Sequence, residues 1–206
     1  MFANGFLYEF VTLYVVLDPF AAIPIFLAAT AGLPRRRQLA VAGAAVGVAF
    51  AIFLFFILVG DHLLTALHVP MASFQLAGGI ILLLFGLQMT LGKVTEAALA
   101  LPADATLMQR AIFPLAMPCI AGAGSIMTVM LLTDNAERSF PEQVRTVGVL
   151  VACLVLLFTV LALAGGLSRL LGRAGLEIVT RVFGLILTSI AVTNLIVAIK
   201  LSFNLA

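Results

Sequence analysis

The sequence predicts an all-α polytopic membrane protein, with six transmembrane helices arranged as two inverted three-helix repeats and the first and fourth helices broken. Three observations lead there. Of 206 residues, 64% are hydrophobic and only 10% charged, with a mean hydropathy of +1.25, whereas soluble domains run at about 45–50% apolar and about 25% charged. Six stretches each supply the run of about 20 apolar residues needed to cross roughly 30 Å of hydrocarbon as a helix. Two of those stretches, at corresponding places in the two halves, contain helix-breaking residues.

In chain order, the first span covers about Phe6–Ala29 and contains Asp18, Pro19 and Pro24. The second, Leu39–Val59, has hardly a polar atom. The third covers about Met71–Thr90 and precedes a more polar stretch with Lys93, Glu96, Pro102 and Asp104. The fourth, about Ala111–Thr133, is interrupted by Pro114, Pro118 and Gly122-Ala123-Gly124. The fifth is about Val144–Gly165 and the sixth about Ile178–Ile199. No loop is long enough for a soluble domain, so residues 1–206 form one membrane domain: a first repeat over about 1–91, a linker over about 92–110 and a second repeat over about 111–206.

The repeat is read from elements that recur at a spacing of about 105 residues. Leu33-Pro34 and Phe140-Pro141 precede the second and fifth spans, and Gly60 and Gly166 close them. Gln75–Ile80 opens the third span as Thr180–Leu185 opens the sixth, and Asp18-Pro19-Phe20-Ala21 stands opposite Gly122-Ala123-Gly124-Ser125. Three spans per half is an odd number, so the second copy enters the membrane from the opposite side. Interrupted helices at corresponding places of an inverted repeat are the best sequence pointer to a transporter site.

Charge gives the expected orientation. The loops after the first, third and fifth spans, with Arg181 just beyond, hold eight basic residues, against three on the other side (Arg138, Arg145 and Lys200). By the positive-inside rule the first side is cytoplasmic, with both termini outside. The N-terminal stretch has no basic region, carries Glu9 and shows no small-residue cleavage site, so the first apolar segment is expected to stay in the protein.

Several function classes find no support. The net charge of +2 is small and its positive residues are confined to loops, which offers nucleic acid no binding face. Cys119 and Cys153 form no CxxC pair, and both are expected to be reduced and structural. His62 and His68, placed in the short loop after the second span, have no ligand cluster around them. No Ser/His/Asp set, HExxH or phosphate-binding loop is present, so the chain is read as a non-enzyme with no cofactor and no bound metal.

The two breaks carry the candidate chemistry. A carboxylate in mid-membrane costs about 2.5–3.5 kcal/mol on insertion scales and normally faces a cavity or partner. Asp18-Pro19 also suits the start of a new helix, Asp as cap and Pro at the first helical position. Gly122-Ala123-Gly124-Ser125 lets the backbone unwind and approach a ligand, with Ser125 and Thr128 hydroxyls beside it. Two half-helix N-termini meeting at a pseudo-two-fold axis would receive an anionic group such as a carboxylate. Asp18 would then meet an ammonium group, a proton or a sodium ion, and the implied ligand is a small zwitterion. The candidate binding residues are Asp18, Pro19, Phe20, Ala21, Gly122, Ala123, Gly124, Ser125, Thr128 and Asn194. Plainer readings stand beside this one. The glycines suit close helix packing, Asp18 suits a cap alone, and Thr90, Gln88, Thr193 and Asn194 suit interhelical hydrogen bonds. Arg181 is expected to pair with Glu177 four residues earlier, and Phe20, Phe26 and Gly78-Gly79 to serve packing.

Three motifs carry a family resemblance: Leu17–Phe26 (LDPFAAIPIF), Phe113–Ile126 (FPLAMPCIAGAGSI) and Arg181–Leu187 (RVFGLIL). With these, nearly the whole chain resembles the MarC family of bacterial inner-membrane proteins, which includes members described as small neutral amino acid transporters. The family pattern has glycine where Ala21 stands and proline where Ala123 stands. Ala21 implies a tighter pocket or a different ligand, and the loss of the second proline leaves the fourth-span break to Gly122 and Gly124. The resemblance implies a secondary transporter for glycine, alanine or serine, coupled to a proton or sodium ion and working by alternating access. It also implies a location in the inner membrane, among lipids, with homo-oligomers compatible. The alternatives are an exporter of another small metabolite or drug, or a non-transporting structural or regulatory membrane protein.

Overall fold

Pro19 lacks the N–H that would continue the helix before it, and the chain turns there. In the computed structural model, which describes residues 2–92, 102, 104–133 and 140–203, helix α1 (Phe2–Leu17) stops before Asp18 and α2 (Pro19–Ala29) begins immediately after it. Asp18 has a φ of 41°, a left-handed conformation that Asp and Asn adopt more readily than other side-chain-bearing residues. Its carbonyl accepts the Ala22 N–H at 3.3 Å, which starts the α2 ladder. Together the two helices make one span bent by 43°.

Proline opens the next two helices as well. Pro34 and Pro70 hold extended backbone, and α3 (Arg35–Ala66) and α4 (Met71–Thr90) follow them. The α3 helix overruns the expected second span at both ends and takes in His62, which the sequence places in a loop. A short α5 (Leu107–Arg110) begins at Thr106 with a reciprocal capping box: the Thr106 N–H donates to Gln109 Oε1 at 2.8 Å, and the Gln109 N–H donates to Thr106 Oγ1 at 3.2 Å. A wide irregular coil, Ala111–Ile120, follows, in which Phe113 and Met117 are extended, each pushed there by the proline after it. Then α6 (Ala123–Leu132) completes a span bent by 62°. The last element, α7 (Phe140–Ser202), is broken at Gly172, whose φ of 66° and ψ of −178° only glycine adopts readily. Its two apolar arms, Pro141–Gly166 and Glu177–Ser202, are the fifth and sixth spans.

Among the described residues four helices are long and apolar enough to cross a membrane, and counting each bent pair as one span brings the number to six. The predicted polytopic helical architecture is therefore the one observed, broken first and fourth spans included. The expected linker falls mostly on residues 93–101 and 103, outside the described residues, as does Arg138, which entered the charge count.

The tightest packing joins α4 to the second arm of α7, and it rests on glycine. A Cβ added to Gly86 would lie 2.6 Å from Thr188 Oγ1 and 2.8 Å from its backbone N. At Gly184 it would lie 2.7 Å from both Met89 Cβ and Thr90 N, and at Gly79 it would lie 2.7 Å from Leu195 Cδ2. In a membrane, where lipid is as apolar as leucine, such close backbone approach drives association. Gly79 and Gly184 stand 105 residues apart, as do Thr90 and Leu195. The Gly79–Leu195 and Gly184–Thr90 contacts are therefore images of each other, the relation an inverted repeat produces.

Several hydroxyl groups in the spans bond within their own helices. Thr90 donates to Gly86 O at 2.9 Å, Thr188 to Gly184 O at 2.8 Å and Thr193 to Ser189 O at 3.0 Å. Thr90 and Thr193 therefore bond backbone rather than a neighbouring helix, because the carbonyl four residues back is always within reach. The two half-helices end alike: buried Thr30 donates to Phe26 O at 2.6 Å after α2, and buried Thr133 donates to Val129 O at 2.8 Å after α6. Arg110 also donates to Ala29 O at 2.8 Å, placing a cation at the C-terminus of α2.

Gly184→Ala is expected to destabilise the protein by about 1–3 kcal/mol through overpacking against backbone. Thermal unfolding of the two proteins in the same detergent checks this, and an unchanged midpoint would show that the crossing tolerates a methyl group.

Candidate functional site

The two breaks meet. A small cavity lies between them, with Asp18 and Val16 on one wall and Pro118, Cys119, Gly122 and Ser125 on the other. Ile81, Leu82 and Phe85 of α4 and Leu187 of α7 close it. Leu82 and Leu187 are again 105 residues apart, so the apolar walls obey the same repeat as the breaks. Irregular backbone at membrane depth is tolerated where it is buried in protein or lines a cavity, and both conditions hold. Leu17, Ala22, Ile120 and Ala121 around the breaks are essentially inaccessible.

Each residue of the second break has a mechanical role. A Cβ on Gly122 would lie 2.6 Å from Pro118 O, so the chain can double back there only without a side chain. Ser125 donates to Ile120 O at 2.8 Å and to Gly122 O at 2.9 Å, fastening the start of α6 to the coil before it. Gly122, as N-cap, supplies no side-chain acceptor to the first-turn amides of α6. Gly124 is buried against Leu82, whose Cδ2 would be 3.0 Å from an added Cβ.

The remaining sequence candidates lie elsewhere. Thr128 turns into its own helix and donates to Gly124 O at 2.8 Å. The Phe20 ring stacks on Phe183 with centroids 5.2 Å apart, joining the first break to the sixth span. Pro19 is buried at the start of α2, and half-buried Asn194 is on the second arm of α7; neither is among the cavity walls. The side chains of Ala21 and Ala123 lie outside the described residues. Arg181 pairs with Glu177, as the spacing predicts. Among the described residues no group of three or more His, Cys, Asp and Glu converges on a metal position.

About 20 Å³ of the cavity is open to water centres, and one water needs about 10–15 Å³ by that measure. The space thus suits one or two waters. A larger guest requires displacement of Leu82, Phe85 or Leu187.

One polar group was missed from the sequence as part of the internal machinery. Glu9 of α1 is 1% exposed; one oxygen accepts from Arg145 at 2.7 Å and the other from the Thr146 hydroxyl at 3.2 Å. This pair ties the first repeat to the second, roughly 13 Å along α1 from Asp18 at 1.5 Å per residue. Glu9 within an apolar run was a warning of a partner, but nothing local names one 136 residues later. Removing one member of a buried pair leaves the other charge uncompensated, at about 3–5 kcal/mol. Arg145→Ala is expected to destabilise by that order, and Glu9→Gln/Arg145→Gln to recover most of the loss. Unfolding midpoints of the three proteins decide it.

The family model for the MarC family integral membrane protein matches residues 3–203. A UPF0056 membrane protein of Methanocaldococcus jannaschii is 34% identical over 198 residues, covering 95% of this chain and 96% of the relative. One of Aquifex aeolicus is 31% identical over 198 residues, covering 95% and 92% respectively. The UPF0056 inner membrane protein YhgN of Escherichia coli is 30% identical over 185 residues, covering 88% and 89%. No solved structure matches. With its broken helices, its glycine-built crossing and these relatives over nearly its full length, the chain belongs to the MarC family of integral membrane proteins.

Proposed function

We propose that the protein is a secondary transporter of small neutral amino acids such as glycine, alanine and serine, residing in the inner membrane and coupled to a proton or sodium ion. The observation that carries this reading is the cavity in which both interrupted helices meet, with one carboxylate and one hydroxyl among otherwise apolar walls. The α6 first turn supplies backbone amides without a side-chain cap, a ready receptor for the substrate carboxylate. Asp18, on the facing wall, receives the ammonium group or the coupling cation. Displacement of Leu82, Phe85 or Leu187 opens the space for a substrate, and their bulk favours one with a small apolar side chain. A carboxylate at membrane depth also suits cation coupling, because a bound proton or sodium ion offsets the cost of carrying the charge.

Alternating access follows from the same elements. The cavity walls belong to both repeats, so rocking one repeat against the other opens the site to one side at a time. The repeat relation of Leu82 and Leu187 gives each repeat a like apolar side chain at the site.

Purified protein in liposomes is expected to take up labelled alanine or glycine saturably. Asp18→Asn keeps a side chain suited to the left-handed backbone and removes the charge, so it is expected to stay folded and lose about tenfold or more of the flux, the loss of one hydrogen bond to a charged group. Folded protein without flux or binding across the small amino acids sinks the proposal, and full activity of Asp18→Asn removes Asp18 from it.

A further inference from the structure

We propose that the seam between α3 and the first arm of α7 holds a phospholipid with an anionic headgroup, bound by Arg35 at one end and by an apolar cleft along its length. The proposal is independent of the transport reading. The two helices run antiparallel, and two cavities follow one another along their junction. The first, about 710 Å³, has Arg35, Gln38 and Leu33 on one side and Leu163, Gly165 and Gly166 on the other. The second, about 330 Å³, is wholly apolar and lies between Gly43, Gly47 and Phe50 of α3 and Val151, Val155 and Phe158 of α7.

The chemistry of the pair is that of one amphiphile. Arg35 donates one N–H to Ala162 O, and a guanidinium carries five N–H donors. Arg36 and Arg37 follow on the same exposed turn, so this end of the seam is strongly positive. A basic opening between transmembrane helices at a membrane surface suits an anionic lipid headgroup. Gly43 and Gly47, four residues apart, face the same way; a Cβ on Gly43 would be 3.8 Å from the Phe158 ring, and one on Gly47 would meet nothing within 4 Å. The missing side chains are what open the cleft. Gly43–Phe50 lies 5 to 12 residues beyond Gln38, which at 1.5 Å per residue is about 8–18 Å deeper, the depth of an acyl chain below its phosphate. A soluble phosphate has no use for the second cavity, and a polar peptide cannot enter it.

The test uses the full-length protein in mild detergent, with native mass spectrometry for bound lipid and thermal shift for stabilisation. The probes are phosphatidylglycerol, phosphatidylcholine and glycerol 1-phosphate. Phosphatidylglycerol is expected to be retained and to raise the midpoint more than phosphatidylcholine, with no effect of glycerol 1-phosphate. Arg35→Gln is expected to cut the preference for phosphatidylglycerol about tenfold, the loss of one charge-assisted bond. Gly47→Leu is expected to reduce retention of both lipids and leave the preference intact; Val155→Phe, at an exposed position on the opposite wall, does the same if Gly47→Leu fails to fold. Equal stabilisation by the two lipids overturns the proposal, as does a full shift from glycerol 1-phosphate alone or undiminished retention with the cleft filled.

Discussion

A backbone N–H or C=O released by a broken helix inside hydrocarbon has no water to turn to, and this requirement shapes the whole bundle. The two interrupted spans release such groups at the Asp18 and Gly122 breaks and again at the ends of α2 and α6. The protein answers several of them with its own atoms. Ser125 covers Ile120 O and Gly122 O at one break, and the Asp18 carbonyl opens the α2 ladder at the other. Thr30 and Thr133 return their hydroxyl hydrogens to their own helices, and Arg110 reaches 81 residues back to Ala29 O. The first-turn amides of α6 have no side-chain cap at Gly122, and Gly122 and Ser125 line the cavity. Structure and candidate function thus draw on the same backbone groups.

The glycine crossing of α4 and the second α7 arm supplies the rigidity around this site. Backbone-to-backbone approach at Gly86 and Gly184 leaves no slack for side chains to fill. The contacts of Gly79 with Leu195 and of Gly184 with Thr90 repeat each other, and Leu82 and Leu187 repeat across the cavity. The stacked Phe20 and Phe183 rings connect this crossing to α2, and the Glu9–Arg145 pair joins α1 to the first arm of α7.

Much of the fold was legible because proline and glycine act locally. Pro19, Pro34 and Pro70 start helices in the structure where a missing N–H makes starting one the natural choice, and the third span matched α4 residue for residue. The two breaks were legible as a pair, and the structure brings Asp18, Gly122 and Ser125 around one cavity. Thr128 was harder to place: its hydroxyl was read as facing a ligand, yet the Gly124 carbonyl lies within its own helix at 2.8 Å. The length of α3 was also underestimated, since hydropathy marks the hydrocarbon-facing stretch and helices continue past it.

The sequence by itself determined the membrane class, the number of apolar spans, the positions of the breaks and the repeat spacing. Each of these follows from composition or from backbone restrictions that act within a few residues. Only the tertiary structure decided which polar groups pair across the bundle: Glu9 with Arg145, and Arg110 with Ala29. Those partners are tens to more than a hundred residues apart, and their pairing depends on how rigid helices cross. Helix crossing is set by which glycines allow backbones to touch, and that is a property of two surfaces together rather than of either segment alone.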